Sequence, residues 1–192
     1  ADYAVLWAPP PELFATQRQL KAIFNIGAGA DRVMQIPNLT ELIKGAPVVR
    51  LNDAGMAVQM AEYVCHALIR HTREFSAYDA QQKRREWQTL PAIDRAMWPV
   101  GVMGLGEIGA RVAQSIAGFG YPTFGWSRSA KSLAGVATFS GGDRLDAFLG
   151  EVRVLVCVLP LTAETTGILN ARTLGRLKPN GHLINVARGA HL

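Results

Sequence analysis

Two kinds of residue in this sequence have types and spacing suited to chemistry: glycines that admit phosphates, and arginines that grip anions. Gly104, Gly106 and Gly109 stand as Gly-x-Gly-x-x-Gly, with Leu105, Glu107 and Ile108 between them. An apolar run, Val100 to Met103, precedes them. A helix is predicted to follow over 110–119, with Val112, Ile116 and Phe119 on one side. Between a strand and a helix this spacing is a dinucleotide-binding fingerprint; outside that setting a glycine-rich turn need bind nothing. Gly104 permits a tight turn, Gly106 lets a pyrophosphate approach the backbone, and Gly109 lets helix and strand pack closely. Unpaired N–H groups at the helix start, together with the positive end of its dipole, attract the anion.

The second strand of such a unit is Thr123-Phe-Gly-Trp126, and the residue at its end meets the adenosine ribose. A carboxylate there accepts from the 2′-hydroxyl of NAD. This sequence has Ser127-Arg128-Ser129 instead, with no acid beside it. Arg128 would attract a 2′-phosphate and the serines would donate to it, so NADP is expected over NAD, with NAD still possible. The bland alternative is an exposed turn arginine. A further arginine, Arg188, lies in Ala187-Arg188-Gly189, just past a strand predicted over 182–186. Ligands of open parallel sheets bind outside the carboxyl ends of the strands. An arginine there, beside a glycine that keeps the space open, suits a small carboxylate; by position alone it is equally an ordinary loop residue.

The elements that position these residues alternate. Short strands are predicted at 4–7, 22–26 and 48–51, separated by a helix containing Leu13, Phe14 and Leu20 and a helical turn at 39–43. A long helix follows over about 54–82, with Met56, Met60, Tyr63, Val64 and Leu68 as its core stripe, then an irregular arm with Trp87 and Trp98. The arm packs either on another subunit or back on its own chain. After the glycine motif come a helix at 145–149 and a valine-rich run, 152–159, of the kind buried on both faces. Asn170 is placed to cap a helix over 171–177. The fold class this implies is α/β, with parallel sheets covered on both faces.

Composition narrows the partners. With 49% hydrophobic and 18% charged residues in 192, the chain suits packed domains rather than disorder. The net charge of +5 raises the question of nucleic acid, but the one dense run, Lys83-Arg84-Arg85, sits in a polar stretch and reads as a solvated face. No apolar run reaches the roughly 20 residues of a membrane span, and the first residues lack a signal-peptide pattern. Cys65 and Cys157 read as small core hydrophobes, not a disulfide, and the expected setting is cytoplasmic. His66 and His71 are five apart, on different helix faces, so no metal site is expected.

Three segments together resemble the D-isomer-specific 2-hydroxyacid dehydrogenases: the glycine motif, the run from Leu159 to Asn170, and the run from Leu177 to Gly189. The start Ala1-Asp-Tyr-Ala-Val-Leu-Trp7, Gly27-Ala28-Gly29, the Trp126-Ser-Arg-Ser129 turn and the arm around Trp87 are similar to the glyoxylate/hydroxypyruvate reductase A type. The resemblance implies two Rossmann/flavodoxin-like parallel-sheet domains, both incomplete in this chain. A partial substrate domain would span 1–52, a linking helix and arm 53–99, and a partial nucleotide domain 100–192. It implies NADPH-dependent reduction of a 2-oxo acid, with Arg188 binding and polarising the substrate and the backbone of Gly27, Ala28 and Gly29 receiving its carboxylate. By the same resemblance Trp7 lines the substrate pocket, Leu159, Pro160 and Thr165 border the cofactor, and Ala187 meets its nicotinamide end. The family's general acid is a histidine held by a glutamate, both several tens of residues after the arginine. Leu192 ends the sequence before that point, and His182 and His191 fall outside the matching position. The expectation is therefore an internal fragment of a homodimeric enzyme, nearly inactive alone. A non-catalytic dinucleotide sensor is the alternative, which Arg188 argues against.

Overall fold

Parallel strands set the layout of the chain. A computed structural model describes residues 1–7, 9–16 and 19–192. The first sheet has the order β1 (Tyr3–Leu6), β2 (Ala22–Asn25), β3 (Val48–Arg50), with both pairs parallel. Its connections carry α1 (Glu12–Thr16), α2 (Asp31–Met34) and α3 (Leu39–Leu42). Phe14, Ile23 and Val33 are fully buried in the small core, with Leu6, Leu20 and Leu39 around them. Leu20 lies outside α1, and the part of the predicted helix at residues 17 and 18 lies outside the described residues.

The predicted single long helix is two: α4 (Met56–Thr72) and α5 (Phe75–Arg84). The chain turns between them at Glu74, whose φ is 53°. No glycine or proline marks the break. Burial explains it: Ala57, Ala61, Val64, Cys65 and Leu68 form one buried stripe that ends at Thr72, whose hydroxyl pairs with the Tyr121 hydroxyl at 2.9 Å. In α5 only Gln81 is buried. Tyr63, expected in the stripe, is instead 62% exposed. Part of the arm folds back on α5, where the Tyr78 hydroxyl accepts from Leu90 N at 3.1 Å and Gln81 Oε1 accepts from Gln88 N at 3.1 Å. Trp98 packs inside the chain, while Trp87 is 97% exposed.

The second sheet comprises β4 (Val100–Met103), β5 (Thr123–Ser127), β6 (Ala137–Ser140), β7 (Val154–Cys157) and β8 (His182–Asn185). Its order is β6-β5-β4-β7-β8, parallel throughout. The edge strand β6 was not expected; it is largely exposed and has no apolar run to betray it. The helices of this half are α6 (Glu107–Gly118), α7 (Leu145–Glu151) and α8 (Ala171–Leu174). Alternating side chains meet two different cores, because successive Cβ atoms point to opposite faces. Val100, Val102, Val154 and Val156 join α4 and α6; Met103, Leu155 and Cys157 join Phe148 and Leu149 of α7. Each such side chain contributes roughly 1.5–3 kcal/mol on burial. Cys65 and Cys157 are buried free thiols, one in each of these cores. Asn170 caps α8 reciprocally: its side chain accepts from Thr173 N, and Thr173 Oγ1 accepts from Asn170 N at 2.9 Å.

The far end of α4 is fastened to this sheet through aromatic rings. His71 stacks on His182, the first residue of β8, with centroids 3.9 Å apart, and meets Trp98 edge-on at 5.4 Å. Arg153 lies over Trp98 at 3.8 Å. Burial, then the charges of His182 and Arg153, hold the His71 imidazole below its ordinary value of 6.5, against a smaller opposing pull from Glu74. The stack therefore contributes fully above the ordinary imidazole range and is lost as pH falls through the lowered folded value. We expect the thermal midpoint to drop between pH 7 and pH 5, and His71→Gln to flatten that drop; an unchanged slope would refute the assignment.

Candidate active site

The strand order reverses around β4, which has β5 on one side and β7 on the other. In open parallel sheets the crevice at such a reversal, outside the carboxyl ends, receives ligands. Gly104 leaves β4 at this point with φ 100°, donating its N–H to Trp126 O at 2.8 Å. The helix starts at Glu107, three residues earlier than the 110 expected, so Gly109 lies in its first turn. Glycine's poor helix propensity hid this start. A Cβ on Gly109 would overlap the Gly104 carbonyl oxygen, so turn and helix can close only on a glycine. Phe119, expected on the buried side with Val112 and Ile116, caps the far end and is 50% exposed.

Leu105 is 3% exposed and its side chain packs into the core against Gly125, so only its backbone borders the crevice. No side chain caps the start of α6, and a Cβ at Gly106 would meet no atom within 4 Å. Open space over uncapped N–H groups at the positive end of a helix fits a diphosphate.

The expected ribose end is Ser127, 7% exposed, whose hydroxyl donates to Ser129 O at 2.7 Å. That donor is engaged within the turn, leaving Arg128 and Ser129 as the exposed groups there. Glu164 is held below the ordinary carboxylate range first by the Thr162 side chain, then by its own backbone, with a further contribution from Arg128. Along the opposite wall, Leu159 and Pro160 follow β7. Thr165 Oγ1 donates to Pro160 O at 2.7 Å and accepts from Thr162 N at 2.8 Å. His191 pins this loop: its ring is fully buried, with Nδ1 2.9 Å from Thr165 O and Nε2 3.1 Å from Leu159 O.

Past β8, Asn185 shapes the next turn, accepting from Ala187 N at 3.1 Å and donating to Arg188 O at 2.9 Å. The Arg188 guanidinium reaches across to the first sheet. Nε donates to Asp31 Oδ2 at 3.1 Å, Nη2 to Asp31 Oδ1 at 2.8 Å, and Nη1 to Ala187 O at 3.0 Å. The Asp31 side chain is 9% exposed, and its carboxyl lies below the ordinary value, chiefly through the hydrogen bonds from Arg188. Asp31 begins α2, just after the Gly27-Ala28-Gly29 turn. Buried Asn25 clamps that turn, donating to Gly27 O at 2.8 Å and Gly29 O at 3.1 Å, while Arg50 donates to Ala28 O at 3.1 Å. A Cβ on Gly29 would strike Arg188 Nη2 and Asp31 Oδ1.

Trp7, Asn25, Gly29, Arg32 and Arg188 line one cavity of about 200 Å³. Trp7 and Arg188, singled out in the sequence, thus meet in space. Asp31, Asn25, Arg32 and Arg50 were not singled out. The tract Asn25-Ile-Gly-Ala-Gly-Ala-Asp-Arg32 gathers most of them after a strand, and that clustering was the available signal. Among the described residues no group of three His, Cys, Asp or Glu side chains stands ready to hold a metal ion, and no helix is long and apolar enough to cross a membrane.

Comparison with known proteins gives the family and the fold. The family model for the D-isomer specific 2-hydroxyacid dehydrogenase, NAD binding domain, matches residues 65–192. The chain belongs to the D-isomer specific 2-hydroxyacid dehydrogenases. A glyoxylate/hydroxypyruvate reductase A of Citrobacter koseri is 43% identical over all of this chain and 62% of its own length. A dehydrogenase of this family from Xanthobacter autotrophicus Py2, solved with NADPH and MES, superposes with a TM-score of 0.90 at 38% identity, over 100% of this chain and 60% of that one. An NADPH-dependent glyoxylate/hydroxypyruvate reductase from Sinorhizobium meliloti, solved with NADP and sulfate, gives 0.90 at 39% identity, over 99% and 60%. The chain thus spans about three fifths of the length of these dehydrogenases.

In this chain the glycines differ in the space around them, Gly109 closed in by backbone and Gly106 open. Gly109→Ala is expected to lower thermal stability sharply, because its Cβ meets a backbone oxygen. Gly106→Val, facing open space with φ −74°, is expected to keep the fold and weaken dinucleotide binding at least tenfold. Melting curves and nucleotide titrations separate the two; equal loss of stability in both variants would contradict the assignment.

Proposed function

We propose that the protein carrying this sequence reduces a small 2-oxo acid, of the glyoxylate or hydroxypyruvate kind, to the 2-hydroxy acid with NADPH. The observation that carries this reading is Arg188, held by Asp31 at the mouth of a cavity beside the glycine turn, on the edge where the nucleotide crevice opens. The names of the Citrobacter and Sinorhizobium proteins support it, and favour an enzyme over a sensor. Reduced nicotinamide, when bound, supplies the hydride.

The chain's own residues do the rest. The backbone of Gly104, Leu105, Gly106, Glu107, Ile108 and Gly109 holds the diphosphate. Arg128 and Ser129, beside Ser127, take the 2′-phosphate. Leu159, Pro160 and Thr165 border the cofactor, with Ala187 at its reacting end. The N–H groups of Gly27, Ala28 and Gly29 receive the substrate carboxylate, and Trp7 walls the pocket. Arg188 stabilises charge growing on the keto oxygen. Asp31 fixes the guanidinium plane, so little reorganisation remains at the moment of reaction. The keto oxygen also needs a proton. His182 starts β8, at the edge away from the crevice, and His191 is buried between two carbonyls. Neither lines the cavity; the family resemblance implies a histidine held by a glutamate as the donor.

Within this reading 1–52 form the substrate side, 53–99 the link and 100–192 the nucleotide side. The protein works as a cytoplasmic homodimer. Lys83, Arg84 and Arg85 are read as a solvated face, with Arg84 paired to Glu86 at 2.8 Å, and no nucleic-acid partner is proposed.

Arg188→Ala is expected to lower kcat/KM for glyoxylate by about 10²–10³-fold while NADPH still binds. Steady-state kinetics with a parallel nucleotide titration reads both quantities, and retained turnover would sink the role. NADPH should bind tighter than NADH, and Arg128→Ala should narrow the gap by about ten- to a hundred-fold. Equal affinities in the unaltered protein would count against the NADP assignment.

A further inference from the structure

We infer that His191 is a positioning residue: it locks the loop that walls the cofactor to the turn that presents Arg188, so that nucleotide and substrate each feel the other's binding through it. This deepens the proposed function and rests on Leu159, Pro160 and Thr165 bordering the nucleotide while Arg188 takes the 2-oxo acid. The observation is where a fully buried imidazole directs its two nitrogens. Nδ1 lies 2.9 Å from Thr165 O and Nε2 3.1 Å from Leu159 O, at the two ends of the cofactor-side loop. Backbone bonds join the same segments again: Gly167 N donates to Ala190 O at 3.0 Å, and Leu169 N to His191 O at 2.7 Å.

Arg188 stands three residues before His191. Its carbonyl accepts from His191 N at 3.3 Å and from Asn185 Nδ2 at 2.9 Å. The peptide that carries the guanidinium is therefore held by the same residue whose ring holds the loop. The loop is also closed on itself, because Thr165 Oγ1 donates to Pro160 O at 2.7 Å. Packing alone does not call for a histidine here. Leu159 is 8% and Leu169 2% exposed, and a phenylalanine would fill such a space with no polar atom to satisfy. A buried imidazole is favourable where its nitrogens find partners, and here both partners belong to the cofactor wall. His191 does not line the cavity of Arg188, so it acts through the loop and the turn, not on a ligand. A rigid tie of this kind couples two sites: the first ligand orders loop and turn together, and the second finds them already ordered.

The test is titration of the protein with NADPH, followed by the fluorescence of its reduced ring, with and without saturating oxamate, an unreactive carboxylate with an adjacent carbonyl. Oxamate is expected to tighten NADPH binding about five-fold or more. His191→Phe keeps a ring of similar size and removes both side-chain bonds, and should abolish most of that gain. His191→Gln keeps an amide donor and should restore part of it, with melting curves confirming that both variants are folded. The unaltered protein gives a second reading that needs no variant at this position. Oxamate should slow amide hydrogen exchange at Gly167 and Leu169, and Arg188→Ala should abolish the slowing. No gain in the unaltered protein, the same gain in His191→Phe, exchange indifferent to oxamate, or slowing that survives Arg188→Ala overturns the inference and leaves the proposed function standing. Failure of both NADPH and oxamate to bind the unaltered protein overturns both.

Discussion

The ion pair between Arg188 and Asp31 is the contact on which the candidate site depends. It joins residues 157 positions apart, one after the last strand of the second sheet and one at the start of a short helix in the first. Asp31 is nearly enclosed while Arg188 is 42% exposed. Removing a carboxylate from water is unfavourable unless hydrogen bonds replace the lost hydration. Two charge-assisted bonds from one rigid guanidinium do so, and they orient its plane toward the cavity. The neighbouring chain is shaped to allow this. Gly29 lacks the atom that would strike the pair, and Asn25 and Asn185 hold the two turns from which the partners extend.

The nucleotide crevice rests on a steric constraint. The Gly104 turn and the first turn of α6 approach so closely that position 109 has no room for a side chain, whereas position 106 opens on empty space. The two glycines thus serve different ends, one closing the backbone and one leaving it accessible. Behind them, β4 and β7 carry apolar side chains on both faces, so α4 and α6 cover one side and α7 the other. That double coverage makes the carboxyl edge of the sheet a stable rim.

Much of this was legible in the residues because it is local. The strand–glycine–helix turn, the valine-rich strand, the Asn170 cap and the family-specific runs depend on neighbours in sequence. Local rules also misled. The start of α6 was placed at 110 because a glycine inside a first turn looks unhelical, and α4 and α5 were read as one because no breaker separates them. Strand β6 was missed because an exposed edge strand needs no apolar alternation.

The sequence by itself determined the α/β alternation and the strand–glycine–helix turn, since backbone sterics and hydrogen bonding within a few residues suffice for each, while its family came from the resemblance of three longer runs. Tertiary structure alone decided that Asp31 holds Arg188, that His71 lies on His182, and that Arg32 shares a cavity with Arg188. Each of these is a meeting of charges or rings brought together by sheet packing, and their separation along the chain carries no trace of it.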